Sequence, residues 1–431
     1  MSASAILLNR IQNGEYDKTF ARLYGQEKVA AQRARYAAAV EGFVRTFGDG
    51  EEPLQLFSAP GRTEISGNHT DHNHGRVIAG SVDLDVIAVV RPAAGTICVQ
   101  SEGYPLNTVS LDTLSPVESE KNSTAALIRG TAARFAQLGY ATGGFEAYAT
   151  SNVLKGSGLS SSAAFEVLVG VILNHLYNGG RVDAVEIAQI AQYAENVFFG
   201  KPCGLMDQMA SSVGNIITID FADPAKPVIE QLHFDFAATG YALCIVDVGG
   251  NHADLTDEYA AVPGEMKAVA ASLGVEVLRQ TSLAELMRHI RMLREKHGDR
   301  AVLRAIHFFN ENERVGRQVQ ALQTGDFAAF KQLVIASGNS SFEYLQNIYA
   351  NGNVREQGMS LALALAQQVL DGCGAWRVHG GGFGGTTQNF VPMDKLDEFR
   401  TCMEQVFGEG SCHVLSIRPC GGTAVTADLA V

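Results

Sequence analysis

Apolar side chains recur at helical spacing through the first 50 residues, as in Ala21–Tyr24 and Ala37–Phe47, and the run ends at Gly48-Asp49-Gly50. A compact loop is expected over Ser58–Gly75, followed by β-rich sequence. Val86–Arg91 and Thr96–Gln100 read as two strands of a hairpin joined across Pro92-Ala93-Ala94-Gly95. Ala125–Leu138 has a helical pattern and Gly144–Ser151 that of a strand. Ala163–Tyr177 is apolar nearly all round (Phe165, Leu168, Val171, Ile172, Leu173), so this helix belongs in the interior. Another helix runs from Asp183, a suitable N-cap, to Phe199, with Gly200 where a C′ residue belongs. Asp220–Pro227 is turn-rich and marks a boundary, predicting domains 1–225 and 226–431. Beyond it come a strand (Ala242–Val248), helices from Pro263 to Leu345 and over Met359–Val369, a strand (Arg377–Gly380), a Gly-rich turn and a last strand (Thr386–Val391). Strands and helices alternate irregularly, which favours an α+β fold over a doubly wound parallel sheet.

The composition narrows the function. With 431 residues the chain exceeds one ordinary domain, and 46% hydrophobic with 18% charged residues is a packed globular composition. A formal net charge of −13 repels phosphate backbones and anionic lipid, which argues against nucleic-acid and membrane partners. No apolar run approaches the roughly 18 residues of a membrane helix, and MSASAILLNRIQNGEYDK lacks the apolar stretch of a signal peptide. Seven cysteines without a CxxC pair suit reduced thiols in a cytoplasmic protein. A monomer is expected. Glycine is in excess, 45 residues, about a tenth of the chain against a usual ~7%.

The glycines cluster in chemically informative places. VLKGSGLSSSAA (Val153–Ala164) follows a strand and precedes a buried helix. Its glycines allow a tight turn, and Ser160–Ser162 stand where unpaired helix N–H groups point outward. A flexible linker is the bland reading; the flanking strand and helix favour a phosphate nest instead. A G-x-G-x-x-G match at Gly380–Gly385 is followed by the strand-like TTQNFV rather than the helix a dinucleotide site needs. It reads as a turn between strands in which another backbone or a ligand comes close. In APGRTEISGNHTDHNHG (Ala59–Gly75), Pro60-Gly61 suggests a turn that projects Arg62, and His69, Asp71, His72 and His74 follow. A metal cluster, a solvated loop and a sugar-recognition loop all fit that composition. In AENVFFGKPCGLMDQMASSVG (Ala194–Gly214), Glu195 and Asp207 flank a turn, and Asp207 has apolar neighbours that suggest shielding.

Taken together, APGR…GNHTD, GLSSSAA, AENVF…CGLMDQ and GGGFGG resemble, in order and approximate spacing, the galactokinases of the GHMP small-molecule kinase superfamily. The resemblance implies a ribosomal-protein-S5 domain 2-like N-terminal domain and a ferredoxin-like C-terminal domain, with ATP, Mg²⁺ and sugar in the cleft between them. It implies that Asp207 takes the proton of the anomeric C1 hydroxyl beside Arg62. Gly156, Ser157, Gly158, Leu159, Ser160, Ser161 and Ser162 match the phosphate loop, and Ser162 and Glu195 the magnesium ligands. Asn68, His69, Asp71, Gly204 and Tyr259 match sugar-contacting positions.

Three departures stand out. Asn68 replaces the family's glutamate, a contact to the sugar's C6 hydroxyl; a charged hydrogen bond of that kind is worth about 1.5–3 kcal/mol. Leu154 replaces a proline of the phosphate loop, and His379 a threonine before the Gly-rich turn. The leading expectation is an ATP-dependent 1-kinase for galactose or a close relative. A kinase for a C6-altered sugar such as galacturonate, motivated by Asn68, and a non-catalytic sugar sensor are the alternatives.

Overall fold

Two long strands carry the polar loop between them. β1 (Gln55–Ser66) and β2 (Arg76–Ala93) pair antiparallel, from Gln55 opposite Val90 to Ser66 opposite Ile78. In this computed structural model residues 154–157, 202, 233, 250–254, 351, 353, 430 and 431 are not described; all others are. β3 (Thr96–Ser101), β4 (Asn107–Ser110), β5 (Gly144–Ser151), β6 (Ile216–Asp220) and β7 (Val228–Leu232) extend the same sheet. A second sheet is built from β8 (Tyr241–Asp247), β9 (Ala375–His379), β10 (Thr386–Pro392) and β11 (Cys412–Leu415), and β12 (Thr423–Val425) returns to pair with β1. The first sheet runs β12-β1-β2-β5-β3-β4, with β6 on β2 and β7 on β6; the second runs β11-β8-β10-β9. Among the described residues only β3 and β5 pair in parallel. The sheet containing β1 therefore draws β7 and β12 from beyond residue 226.

The first sheet is covered on both faces, which explains the apolar run Val86–Val90 in β2. Ile87 and Val89 face Phe20, Tyr24, Tyr36 and Phe43 of the N-terminal helices. Ala88 and Val90 face the other way, into the core formed with the helix Ser161–Asn178. That helix packs on β1 and on the helices Thr124–Gln137, Ala184–Tyr193 and Met206–Val213. Its Val167, Leu168, Val171 and Ile172 are fully enclosed. Each such side chain contributes about 1.5–3 kcal/mol of burial free energy, which anchors the segment that precedes the helix.

Several expectations need correction. Residues 58–66 are strand rather than loop. Pro60 and Gly61 lie within β1 at a register shift between Pro60 and Arg62, where a proline that cannot donate is tolerated. β2 and β3 are not a hairpin, because β5 is inserted between them. The first helix of the C-terminal half begins at Thr256 and contains Pro263. Asp183 does cap its helix, accepting the Glu186 N–H at 2.8 Å, and the helix closes through a π turn, Ala194–Phe199, before Gly200.

The second sheet is stitched to β1 by buried polar contacts. Arg377 of β9 donates to the Ile65 carbonyl at 2.7 Å and to Glu64 Oε1 at 3.1 Å. Gln388 of β10 donates to Thr63 Oγ1 and to the Glu64 carbonyl at 2.7 and 3.0 Å. His379 Nε2 receives the Glu64 N–H at 3.3 Å, while Nδ1 meets Thr386 Oγ1 at 2.9 Å. No helix among the described residues is long and apolar enough to cross a membrane, and all seven cysteines are free.

Candidate active site

Arg62 leaves β1 toward the start of the helix Met206–Val213, where Asp207 sits in the first turn. The guanidinium contacts Asp207 Oδ1 through Nε and NH2, each at 2.7 Å, and NH1 donates to the Gly158 carbonyl. The other carboxylate oxygen, Oδ2, accepts from Ser160 Oγ. Burial works to raise the Asp207 pKa, but Arg62 and the Ser160 hydroxyl outweigh it and hold the carboxyl below its ordinary value. About a third of its side chain remains exposed, so the oriented carboxylate is open to solvent on one side.

The phosphate-loop segment is drawn to the same place. The Arg62 N–H donates to the Leu159 carbonyl at 3.0 Å, and a Cβ on Gly61 would stand 2.8 Å from that oxygen; hence a glycine precedes Arg62. Leu159 itself is buried and Gly158 has φ +71°. Ser160 adopts a left-handed conformation, φ 54°, from which the helix starts at Ser161. Ser162 is exposed beside that N-terminus. Gly156 and Ser157, and the departure at Leu154, lie outside the described residues.

Glu195 reaches this region through Gln208, whose Nε2 donates to Glu195 Oε2 at 2.8 Å and to Glu166 Oε2 at 3.1 Å. Glu166 lies one helical turn after Ser162 on the same face. Its Oε1 and Gln208 Oε1 are buried without a hydrogen-bond partner. Burial, then the neighbouring charge of Glu195, pushes the Glu166 carboxyl well above its ordinary range. A hydroxyl, two carboxylates and orphaned acceptor oxygens are hard donors that fit Mg²⁺. Sequence reasoning missed Glu166; the signal was a lone acid inside AAFEVLVGV.

Of the residues expected to contact the sugar, Asp71 begins the 3₁₀ turn Asp71–Asn73 between β1 and β2. A Cβ on Gly204 would lie 2.6 Å from Asp71 Oδ2, so the bare backbone there is what admits this carboxylate. His69, at φ 57°, points Nε2 at the Gly381 carbonyl, 2.9 Å away. Burial, with a further push from His72, lowers its pKa to about 4, so the ring is neutral at pH 7. Tyr259 donates to the Gly382 carbonyl at 2.7 Å and stacks edge-on against Phe383. Burial lifts its phenol to about 12. The Gly-rich turn thus joins β9 to β10, as expected, and the close approach is made by Tyr259 and Asn347: a Cβ on Gly381 would stand 2.7 Å from the Tyr259 ring.

Asn68 behaves differently from its expected role as a sugar contact. It is fully buried, and its amide donates to Glu64 Oε1 and the Gly380 carbonyl while accepting from Ser341 and Asn347. Its amide is engaged with protein on all sides. Among the described residues no three or more His, Cys, Asp or Glu side chains, those of the His-rich loop included, are gathered in one group.

With this geometry in place the relatives can be compared. Residues 126–215 match the family model for the GHMP kinases N-terminal domain, and residues 41–92 match the galactokinase galactose-binding signature. The galactokinase of Streptomyces coelicolor is 31% identical over 362 residues, covering 83% of this chain and 90% of that protein. The chain belongs to the galactokinases. The crystal structure of Lactococcus lactis galactokinase complexed with galactose superposes with a TM-score of 0.76 at 25% identity, covering 90% of this chain and 99% of the other. Methanococcus jannaschii mevalonate kinase shares the fold at a TM-score of 0.58 and 13% identity, covering 84% and 98% of the two chains. The expected GHMP kinase fold is therefore the one observed, and the galactose-binding signature spans β1, the Asp71 turn and most of β2, the stretch that carries Arg62, Asn68, His69 and Asp71.

Proposed function

We propose that this galactokinase transfers the γ-phosphoryl group of ATP to the C1 hydroxyl of galactose, giving galactose 1-phosphate and ADP. The observation that carries the reading is the Arg62–Asp207–Ser160 constellation, which sets an ionised carboxylate at the mouth of a helix N-terminus. The C1 oxygen would form the new P–O bond, its proton passing to Asp207, while the bond to the β–γ bridging oxygen breaks and ADP carries that electron pair away. Arg62 keeps Asp207 ionised before transfer and offsets negative charge on the moving phosphoryl group. Unpaired N–H groups at the start of the helix Ser161–Asn178 receive the ATP phosphates. Ser162 and Glu195 would hold Mg²⁺, with the Glu166 carboxyl behind them. When bound, the ion neutralises the β- and γ-phosphate oxygens. His69, Asp71, the Gly204 backbone and Tyr259 would shape the sugar site.

The two alternative readings are disfavoured. A C6 carboxylate gains nothing from an Asn68 amide already engaged with protein. Nothing in the Arg62–Asp207 pair is missing, as a sensor without turnover would permit. Purified protein supplied with MgATP should release ADP on adding galactose, and more slowly on adding galacturonate. Absence of galactose-dependent ADP release, or a Asp207→Asn variant as fast as the parent, overturns the reading.

A further inference from the structure

A buried amide offers two donors and about two acceptor positions, and Asn68 has used all of them. Nδ2 donates to Glu64 Oε1 at 3.0 Å and to the Gly380 carbonyl at 2.7 Å; Oδ1 accepts from Ser341 Oγ at 3.2 Å and Asn347 Nδ2 at 2.8 Å. Glu64, its partner, is used on one side only. Both of its side-chain hydrogen bonds, from Asn68 and from Arg377 NH2 at 3.1 Å, fall on Oε1. Its side chain keeps 7% of its surface open, whereas Arg377 behind it has none.

The direction of that opening follows from the strand. Arg62, Thr63 and Glu64 pair in regular register with Ser81, Gly80 and Ala79, so Arg62 and Glu64 share a face of β1. Arg62 is the residue that holds Asp207; burial raises the Glu64 carboxyl above its ordinary value, Arg377 and then Arg62 pull it back, and Asp71 adds to the rise. Glu64 is thus a carboxyl group fixed by a buried arginine on one oxygen and carried on the same strand face as Arg62. A buried carboxylate with one unused oxygen is costly unless a donor arrives, and a sugar hydroxyl is a donor of the right size.

We infer that Glu64 Oε2 accepts a hydrogen bond from a galactose hydroxyl other than that at C1, and that Asn68 acts as a positioning residue holding the carboxylate for it. The inference rests on galactose being the substrate. It makes Glu64 a specificity-determining residue, and it explains how a chain without a carboxylate at position 68 can still present one to the sugar: the acid has moved to the partner across a 3.0 Å hydrogen bond.

The test is steady-state kinetics with galactose and with its 2-, 3-, 4- and 6-deoxy derivatives. Four proteins are compared: the wild type, Glu64→Gln, Asn68→Glu, and the exchange variant Glu64→Asn/Asn68→Glu. Glu64→Gln is expected to raise the galactose KM about 10- to 100-fold, as loss of a charged hydrogen bond does, with kcat changed by less than about 3-fold. That penalty should vanish for one deoxy sugar, which identifies the hydroxyl. The exchange variant should recover most of the galactose KM, since it keeps one carboxylate in the pair, while Asn68→Glu alone places two like charges together and does worse. An equal penalty on galactose and all four deoxy sugars, or an exchange variant no better than Glu64→Gln, overturns the inference. Should Glu64→Gln fail to fold because Arg377 loses its partner, the wild type still decides: four deoxy sugars all bound as well as galactose leave no hydroxyl for Glu64. If the wild type turns over no galactose, it is the substrate reading that has failed.

Discussion

Glu166 and Glu195 are held side by side by a single amide, Gln208 Nε2, which donates to one oxygen of each at 3.1 and 2.8 Å. One donor cannot neutralise two charges, and Glu166 Oε1 is left buried with no partner. Burial and the charge of Glu195 favour the protonated form of Glu166, and Lys201, 3.8 Å from Glu195 Oε1, offsets only part of this. Such a raised carboxyl contributes stability that is present below its unfolded value of 4.5 and is lost as pH rises through the folded value. Replacing Glu166 by Gln should therefore raise the metal-free melting temperature at pH 7 by a few degrees. The same change should weaken Mg²⁺ binding, measured by calorimetry with ATP present, by about tenfold. A variant that melts lower than the parent and binds Mg²⁺ equally well would show that this carboxylate serves packing alone.

Arg62 and Asp207 should act as a unit. Asp207→Asn keeps the shape and loses the charge and the proton acceptor, so kcat should fall by about 10²–10⁴-fold with a small change in galactose KM. Arg62→Met removes the strongest force that opposes burial and leaves only the Ser160 hydrogen bond and the more distant Lys201, so the Asp207 pKa rises. The parent's Asp207 pKa lies below its ordinary 3.8, so the parent's kcat/KM should stay level down to about pH 4 on this account, whereas the acid limb in Arg62→Met should move upward. The double variant should be little slower than Asp207→Asn. Fully additive losses in the pH–rate comparison would separate the two roles.

Acid sensitivity should begin above the carboxylate range. The His69 ring falls from an ordinary 6.5 to about 4 because burial and the neighbouring His72 disfavour the imidazolium. A depressed pKa of this kind gives stability that is present above pH 6.5 and lost as pH falls toward 4, up to ~3 kcal/mol. Glu311, lowered from 4.5 to about 2 chiefly by Arg314 against the pull of burial, loses its share only below that. Urea unfolding at pH 7, 5.5 and 4 should show the first loss, and His69→Gln should make it shallower by about one proton. Buried His307, also lowered, keeps the slope from vanishing. An unchanged slope in His69→Gln would locate the effect elsewhere.

What was legible in the sequence was what is local. The Ser160–Ser162 loop, the helix capped by Asp183 and the turn at Gly380–Gly385 each depend on neighbours in the chain, and each stands where its pattern put it. The strand order did not show, because β5 enters between β2 and β3 from fifty residues away in sequence and no local signal marks that insertion. The Pro60-Gly61 dipeptide misled for a related reason: it is a bulge that lets the Leu159 backbone approach, and the approaching segment lies 100 residues on. Asn68 was singled out correctly as a departure, yet its partner Glu64 went unnoticed. An acid four residues away on a strand has no helical spacing to announce the contact; only the turn through Gly67 at φ 93° brings the two side chains together.

The Gly-rich turn gives a graded series of substitutions. Gly380 has φ +67° and its nearest atom to an added Cβ is 4.0 Å away, so Gly380→Ala meets backbone strain alone, about 1–2 kcal/mol. Gly381→Ala has ordinary backbone but sets its methyl 2.7 Å from the Tyr259 ring; the ring must shift, weakening its 2.7 Å bond to the Gly382 carbonyl. Because Tyr259 belongs to the proposed sugar site, that variant should fold normally and raise the galactose KM several-fold. Gly382→Ala combines φ +85° with a clash against the Asn347 carbonyl, backbone that cannot yield cheaply. It should cost more stability than Gly380→Ala, and it should also disturb Asn347, the donor to Asn68 Oδ1. Melting temperatures in the order Gly380→Ala above Gly382→Ala, with the KM effect largest relative to stability loss in Gly381→Ala, follow from these three environments. Reversal of the first pair would mean that the turn relaxes around Asn347, and that the contact between turn and sugar loop is looser than the buried hydrogen bonds require.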